Sequence, residues 1–239
     1  MVLENLSPLD WVALGLFLVL SLGYHALYAH LARRRPLDTV AGKVALYRRT
    51  WVKRVIDQQN HTMAVQAIRN LLMTSSFMAS SALLVMAVIL QFRFSQRPEP
   101  MLQLQMDILV GLFAFAFLSF LFGIRYLNQL TVLIGADPDL ISHVEPVDAV
   151  TYLSNLLNRA NNRFTYGQRA FYFSVPVIAW TFSPVWMIVV EVGLGLYLLG
   201  FVDFRKWRHP LDEQQQTKER ETRAAAAAAA AKGPTQSGR

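Results

Sequence analysis

LLMTSSFMASSALLVMAVILQ, residues 71–91, contains no Asp, Glu, Lys or Arg. A hydrocarbon core about 30 Å thick takes ~20 helical residues to cross, and this stretch has that length. It also lacks the polar face that a helix at the surface of a soluble domain carries. Its reading therefore decides the solvent in which the chain folds. Working outward, the same reading applies to residues 11–29, 71–92 (the full extent of the quoted block), 108–127 and 170–204. In lipid each backbone group is satisfied within its own segment, so helices are expected, and the alternating ten-residue strands of a membrane barrel are absent. The expected fold is all-α: a helical integral membrane protein of four apolar blocks making four to five crossings.

Composition supports this. Hydrophobic residues form 54% of the 239-residue chain and charged residues 16%, and the charges gather between the blocks. There is no cysteine, which excludes disulfides, thiolate catalysis and cysteine metal sites. The net charge of +7 lies beside the blocks, where basic residues set topology and meet anionic lipid. No nucleic-acid recognition motif accompanies it, so nucleic acid is not an expected partner.

The charge pattern orients the chain. Residues 30–70 carry Arg33, Arg34, Arg35, Lys43, Arg48, Arg49, Lys53, Arg54 and Arg69 against Asp38 and Asp57, and are expected inside. Only Glu4 and Asp10 precede the first block, which reads as a retained anchor in the inner (cytoplasmic) membrane with its amino end outside. Residues 40–70 have one glycine, Gly42, and near-helical apolar spacing at Val44, Tyr47, Trp51, Val55 and Ile56. They predict a long cytoplasmic helix running on into the second span. A second amphipathic helix is expected from Pro146 to Arg163. The two either pack together or lie on the lipid surface.

The last block is too long for one untilted crossing and contains Pro176 and Pro184. Whether it crosses once or twice stays open; the basic residues Arg205, Lys206 and Arg208 favour two, which returns the tail inside. Residues 1–204 are thus one membrane domain. Residues 205–239, charged and then Ala-rich, are expected to be a disordered tail.

Candidate sites are few. Gln66, Arg69 and Asn70 fall at one span end, Arg125 and Asn128 at another, and Arg169 beside the last block. Guanidinium and amide groups there suit an anionic ligand or lipid headgroup, against the simpler role of positive-inside anchoring. Glu191, in Val-Val-Glu-Val-Gly near mid-membrane, is a candidate proton or ion site. Gly193 and Gly195, which follow it, suggest close helix packing rather than a nucleotide loop. His25 and His30 point about 140° apart on a helix, and no zinc-protease, nucleophile-elbow or Walker pattern occurs. No metal and no cofactor is expected.

Several short motifs in order resemble a known family: GYH (23–25) with His30, RRTWV (48–52), AVQAIRN (64–70), SSFMASSA (75–82), IRYLNQ (124–129), FYFSVP (171–176), Trp180, Pro184 and DF (203–204). Together they resemble the domain-of-unknown-function family 599, multi-pass membrane proteins of bacteria and plants, over about residues 9–204. The resemblance implies an integral membrane protein and brings no catalytic residues; Glu191 and the tail lie outside its pattern. The expected function is non-catalytic binding of an anionic ligand, a lipid headgroup or a protein partner at the inner leaflet, with membrane lipids and self-association as the partners. The alternative is a small transporter or channel subunit built on Glu191 and the Pro-broken block.

Overall fold

The computed structural model describes residues 7–34, 39–96 and 98–198, and every regular element among them is helical. The order is α1 (Pro8–Arg34), α2 (Val40–Asp57), α3 (His61–Gln96), α4 (Pro100–Leu133), α5 (Pro138–Val144), α6 (Ala149–Trp180) and α7 (Pro184–Tyr197). The all-α expectation holds. By length and composition, α3 and α4 can cross a membrane, and two shorter apolar stretches, Pro8–Tyr24 and Pro184–Tyr197, accompany them. Asp203, Phe204 and the expected tail of 205–239 lie outside the described residues.

Helix α4 is central because its buried residues form one stripe. Leu109, Phe113, Ala116, Phe120, Gly123 and Leu127 recur at steps of three and four. Helices α3 and α6 pack against α4. The face that α3 buries is built of small residues, Ser75, Ala79 and Ala82, which lets the backbones approach. On the α6 side, Gly167 leaves room for the Phe120 ring; an added Cβ would stand 2.6 Å from Phe120 Cζ. Gly193 and Gly195 do not pack closely as expected, since an added Cβ at either meets nothing within 4 Å.

The expected continuous helix from residue 40 into the second span is broken, and the break is a Schellman motif. Gln59 adopts φ 51°, its N–H bonds the Ile56 carbonyl (3.2 Å), and the Asn60 N–H bonds that of Val55 (3.2 Å). This left-handed position usually holds Gly, so a Gln there gave no visible stop signal. Helix α3 restarts at His61, whose Nδ1 lies 2.8 Å from the Ile134 carbonyl at the end of α4.

The two amphipathic stretches pack together. Val52 and Val55 of α2 join Leu153, Leu156 and Leu157 of α6 in one buried cluster with Ile68 and Leu130. Fully burying one such aliphatic side chain contributes about 1.5–3 kcal/mol. The second stretch is no separate helix either. It starts at Ala149, where the Asp148 side chain accepts from Thr151 N, and runs unbroken to Trp180. Pro176 sits inside this helix rather than interrupting it, while Ser174 Oγ donates to the Phe171 carbonyl (2.7 Å) one turn away. The real break is Thr181–Ser183, after which Pro184 occupies the first turn of α7 and Ser183 caps it. Residues 170–198 are therefore a helical hairpin.

Candidate functional site

Helices α1, α6 and α7 enclose an interior arranged in layers. Asp10, Phe17 and Tyr24 recur every seven residues on α1, about 10 Å apart, and so share one face. At the first layer Trp180 Nε1 donates to Asp10 Oδ1 (2.8 Å). The other carboxylate oxygen accepts from Ser7 N (3.0 Å) and Ser7 Oγ (2.6 Å). Gln105 Nε2 of α4 donates to the Trp180 carbonyl (3.3 Å), tying the same layer to the central helix. In the second layer Phe17 meets Phe173 edge-on, with ring centroids 6.3 Å apart. In the third, the Arg169 guanidinium lies over the Tyr24 ring, 5.0 Å from its centroid.

Glu191 projects into this interior from α7. It is 2% exposed, and neither carboxylate oxygen has a hydrogen-bond partner among the described residues. Burying a polar group without a partner is costly, which makes this position unusual.

A second candidate site lies at the other end, between α2 and the start of α6. A groove of about 260 Å³ is lined by Gly42, Arg49, Thr151, Asn155 and Asn158, among others. Arg48 Nη1 donates to Asn158 Oδ1 (3.3 Å) and Arg49 Nη2 to Thr151 Oγ1 (3.2 Å). Asp148 stands beside them. Hydrogen bonds from Thr151, with the Arg49 charge adding, hold its carboxyl below the usual carboxylate range. The groove thus offers guanidinium and amide donors on two helices that are distant in sequence. A smaller cavity, about 120 Å³, opens between α3, α4 and α6 at Thr74, Ser75, Leu127, Asn161 and Phe164.

The residues expected to form an anion site divide between surface and interior. Gln66, Arg69, Asn70, Arg125 and Asn128 are all exposed. They lie off the buried stripes of α3 (Ala64, Ile68, Ser75) and α4 (Gly123, Leu127, Leu130). Arg169 is 3% exposed and sits with Tyr24. Gly123, two residues from Arg125, is opposite Ala160 and Arg163 of α6. Arg169 is thus about 9 Å farther along α6 from Arg163, and the structure does not bring it together with the other five.

Sequence reasoning missed Arg48, Arg49, Asn155 and Asn158. The signal was present in the basic Arg48-Arg49 pair on one of two amphipathic stretches, but which faces of the two meet was not readable. It also treated Asp10 only as a topological charge. Among the described residues, no three His, Cys, Asp or Glu side chains gather as metal ligands.

The family model described as "Protein of unknown function, DUF599" matches residues 12–207, in agreement with the ordered motifs. No curated protein and no solved structure matches the chain.

Proposed function

The chain belongs to the DUF599 family, and we propose that it is a multi-pass protein of the cytoplasmic membrane that binds phosphate-bearing anions at its inner-leaflet end. Support for the membrane comes from the apolar helices being largely uncovered. Only 17% of the apolar window of α3 and 33% of that of α4 is buried, unlike the core helices of a soluble protein. Phe77, Leu84, Phe94 and Leu118 are among the large exposed side chains, an apolar surface that water does not tolerate at this extent.

We read five passes in the helix order: α1, α3, α4, the far half of α6, and the apolar block that opens with α7. An odd number places the amino end outside and both α2 and the basic tail inside, as the positive-inside rule requires. The break at Thr181–Ser183 supports a last block that crosses twice.

The observation that carries the binding reading is the α2–α6 groove. Arg49, Asn155 and Asn158 line it and Arg48 bonds to Asn158, on helices about a hundred residues apart; the positive-inside reading of α2 puts the groove at the inner leaflet. Arginine suits a phosphate because its planar donors bind two oxygens at once. Gln66, Arg69, Asn70, Arg125 and Asn128 form an outer ring that meets headgroups from the bilayer side, and Arg169 holds α1 against α6.

The test is native mass spectrometry from nanodiscs holding mixed zwitterionic and anionic lipid. Arg48→Gln with Arg49→Gln is expected to lose most anionic-lipid adducts, and Arg69→Gln with Arg125→Gln fewer. Competition by inorganic phosphate separates a headgroup from a free anion. Unchanged adducts in the groove variant would sink the reading. A second reading, a small transporter or channel subunit, is favoured by the buried, partnerless Glu191.

A further inference from the structure

We infer that Glu191 is a proton-binding site at membrane depth, in the interior that α1, α6 and α7 share. Helix α7 packs on both α6 and α1. Glu191 is seven residues, about 10 Å, into α7 from Pro184. Trp180 to Phe173 is the same distance along α6, which sets residue 191 at about the height of Phe173 and of Phe17 edge-on against it.

The buried or half-buried titratable groups on the packed helices are already engaged. Asp10 of α1, one layer toward the outer end, is held by Ser7 and Trp180. Tyr24 of α1 and Arg169 of α6, one layer inward, face each other. Tyr166 of α6 is half-buried farther along, with a polar or ring contact of its own. The His25 side chain is outside the described residues. None of the described groups is within hydrogen-bond reach of Glu191 Oε1 or Oε2.

An ionised carboxylate in that setting carries a penalty of several kcal/mol, with no hydrogen-bond donor among the described residues to offset it. Binding one proton removes the charge: an O–H bond forms on a carboxylate oxygen and nothing else need be recruited. A metal cation needs several oxygen ligands, and among the described residues no group of three His, Cys, Asp or Glu could supply them. Ionisable groups inside a membrane are scarce and default to function. The inference rests on the membrane reading of the bundle and is independent of the anion groove.

The test uses the full-length protein in nanodiscs and the hydrophobic reagent dicyclohexylcarbodiimide, which modifies protonated carboxyls in apolar surroundings. Peptide mapping of the wild-type protein is expected to place one adduct on Glu191, with its yield falling severalfold from acid to alkaline pH. A water-soluble carbodiimide should label that position severalfold less. Glu191→Gln, which mimics the neutral acid in shape, should lose the adduct, and the Arg48→Gln, Arg49→Gln variant should keep it. Four outcomes would overturn the inference: no adduct on Glu191 at any pH, a pH-independent yield, equal labelling by the two reagents, or an adduct that survives in Glu191→Gln. Because the mapping and the pH series use wild-type protein, a misfolded variant leaves the inference open to refutation. Loss of lipid binding in the groove variant with labelling intact separates the two readings.

Discussion

Trp180 gives its indole N–H to the carboxylate of Asp10 across 2.8 Å, joining residues 170 positions apart in the chain. Both are buried, and with Gln105 on the Trp180 carbonyl the bond fixes α1, α4 and α6 at one end of the bundle.

Removing either partner should weaken the fold. Trp180→Phe leaves Asp10 with its Ser7 bonds only and is expected to cost about 1–3 kcal/mol, as hydrogen bonds to charged groups do. In a double-mutant cycle with Asp10→Ala the losses should fall short of additive by a similar amount. Denaturation in mild detergent followed by Trp-independent circular dichroism measures this; strict additivity would show the bond to be energetically idle.

Gly167 has a Phe120 ring where a side chain would go. Phe120 is fully buried and cannot swing aside. Gly167→Ala should therefore destabilise by about 1–3 kcal/mol through overpacking. Adding Phe120→Leu, which withdraws the ring edge, should recover part of that loss in the same melting assay.

Gln59 holds a left-handed conformation that glycine adopts without strain. Gln59→Gly should raise stability by about 0.5–1 kcal/mol with the Schellman bonds kept. A lowered melting temperature would mean that the Gln side chain supplies something beyond the turn.

Asp148 caps α6, and its folded pKa is depressed by the Thr151 hydrogen bonds. A depressed acid stabilises the fold above its unfolded value, near the usual Asp range of about 4, and that contribution fades as pH falls through the folded value. Asp148→Asn keeps a capping oxygen and should flatten this acid limb of the stability curve. An acid titration of both proteins reads the difference.

A reporter fused after residue 239 should be protected outside and active inside the cell, and one fused before Met1 the reverse. This is what the proposed five passes require. A tail reporter found outside would require the 170–198 hairpin to re-enter rather than cross.

How much of this was legible depended on the range of the interaction. The apolar block at 71–91 needs only its own composition to read as a helix long and apolar enough to cross a membrane, and α3 contains all of it. Pro184 was readable as a helix start because proline suits a first turn. Pro176 misled because a single lost bond does not end a helix that neighbours hold on several sides. The break at Gln58–Asn60 was invisible because its turn lacks the usual glycine. Which way the candidate anion-site residues face was not legible, because span ends say nothing about rotation: Gln66, Arg69 and Asn70 are exposed and off the buried stripe, while Arg169 is buried.

The sequence alone determined the helical class, the apolar blocks and the basic segments beside them, since transfer free energy and local spacing act within a few residues. Only the tertiary structure decided which faces meet. It paired Asp10 with Trp180, set Arg48 and Arg49 against the start of α6, turned the last block into a hairpin and left Glu191 buried without a partner. Those outcomes depend on how each helix rotates about its axis when several pack at once, and no single segment encodes that.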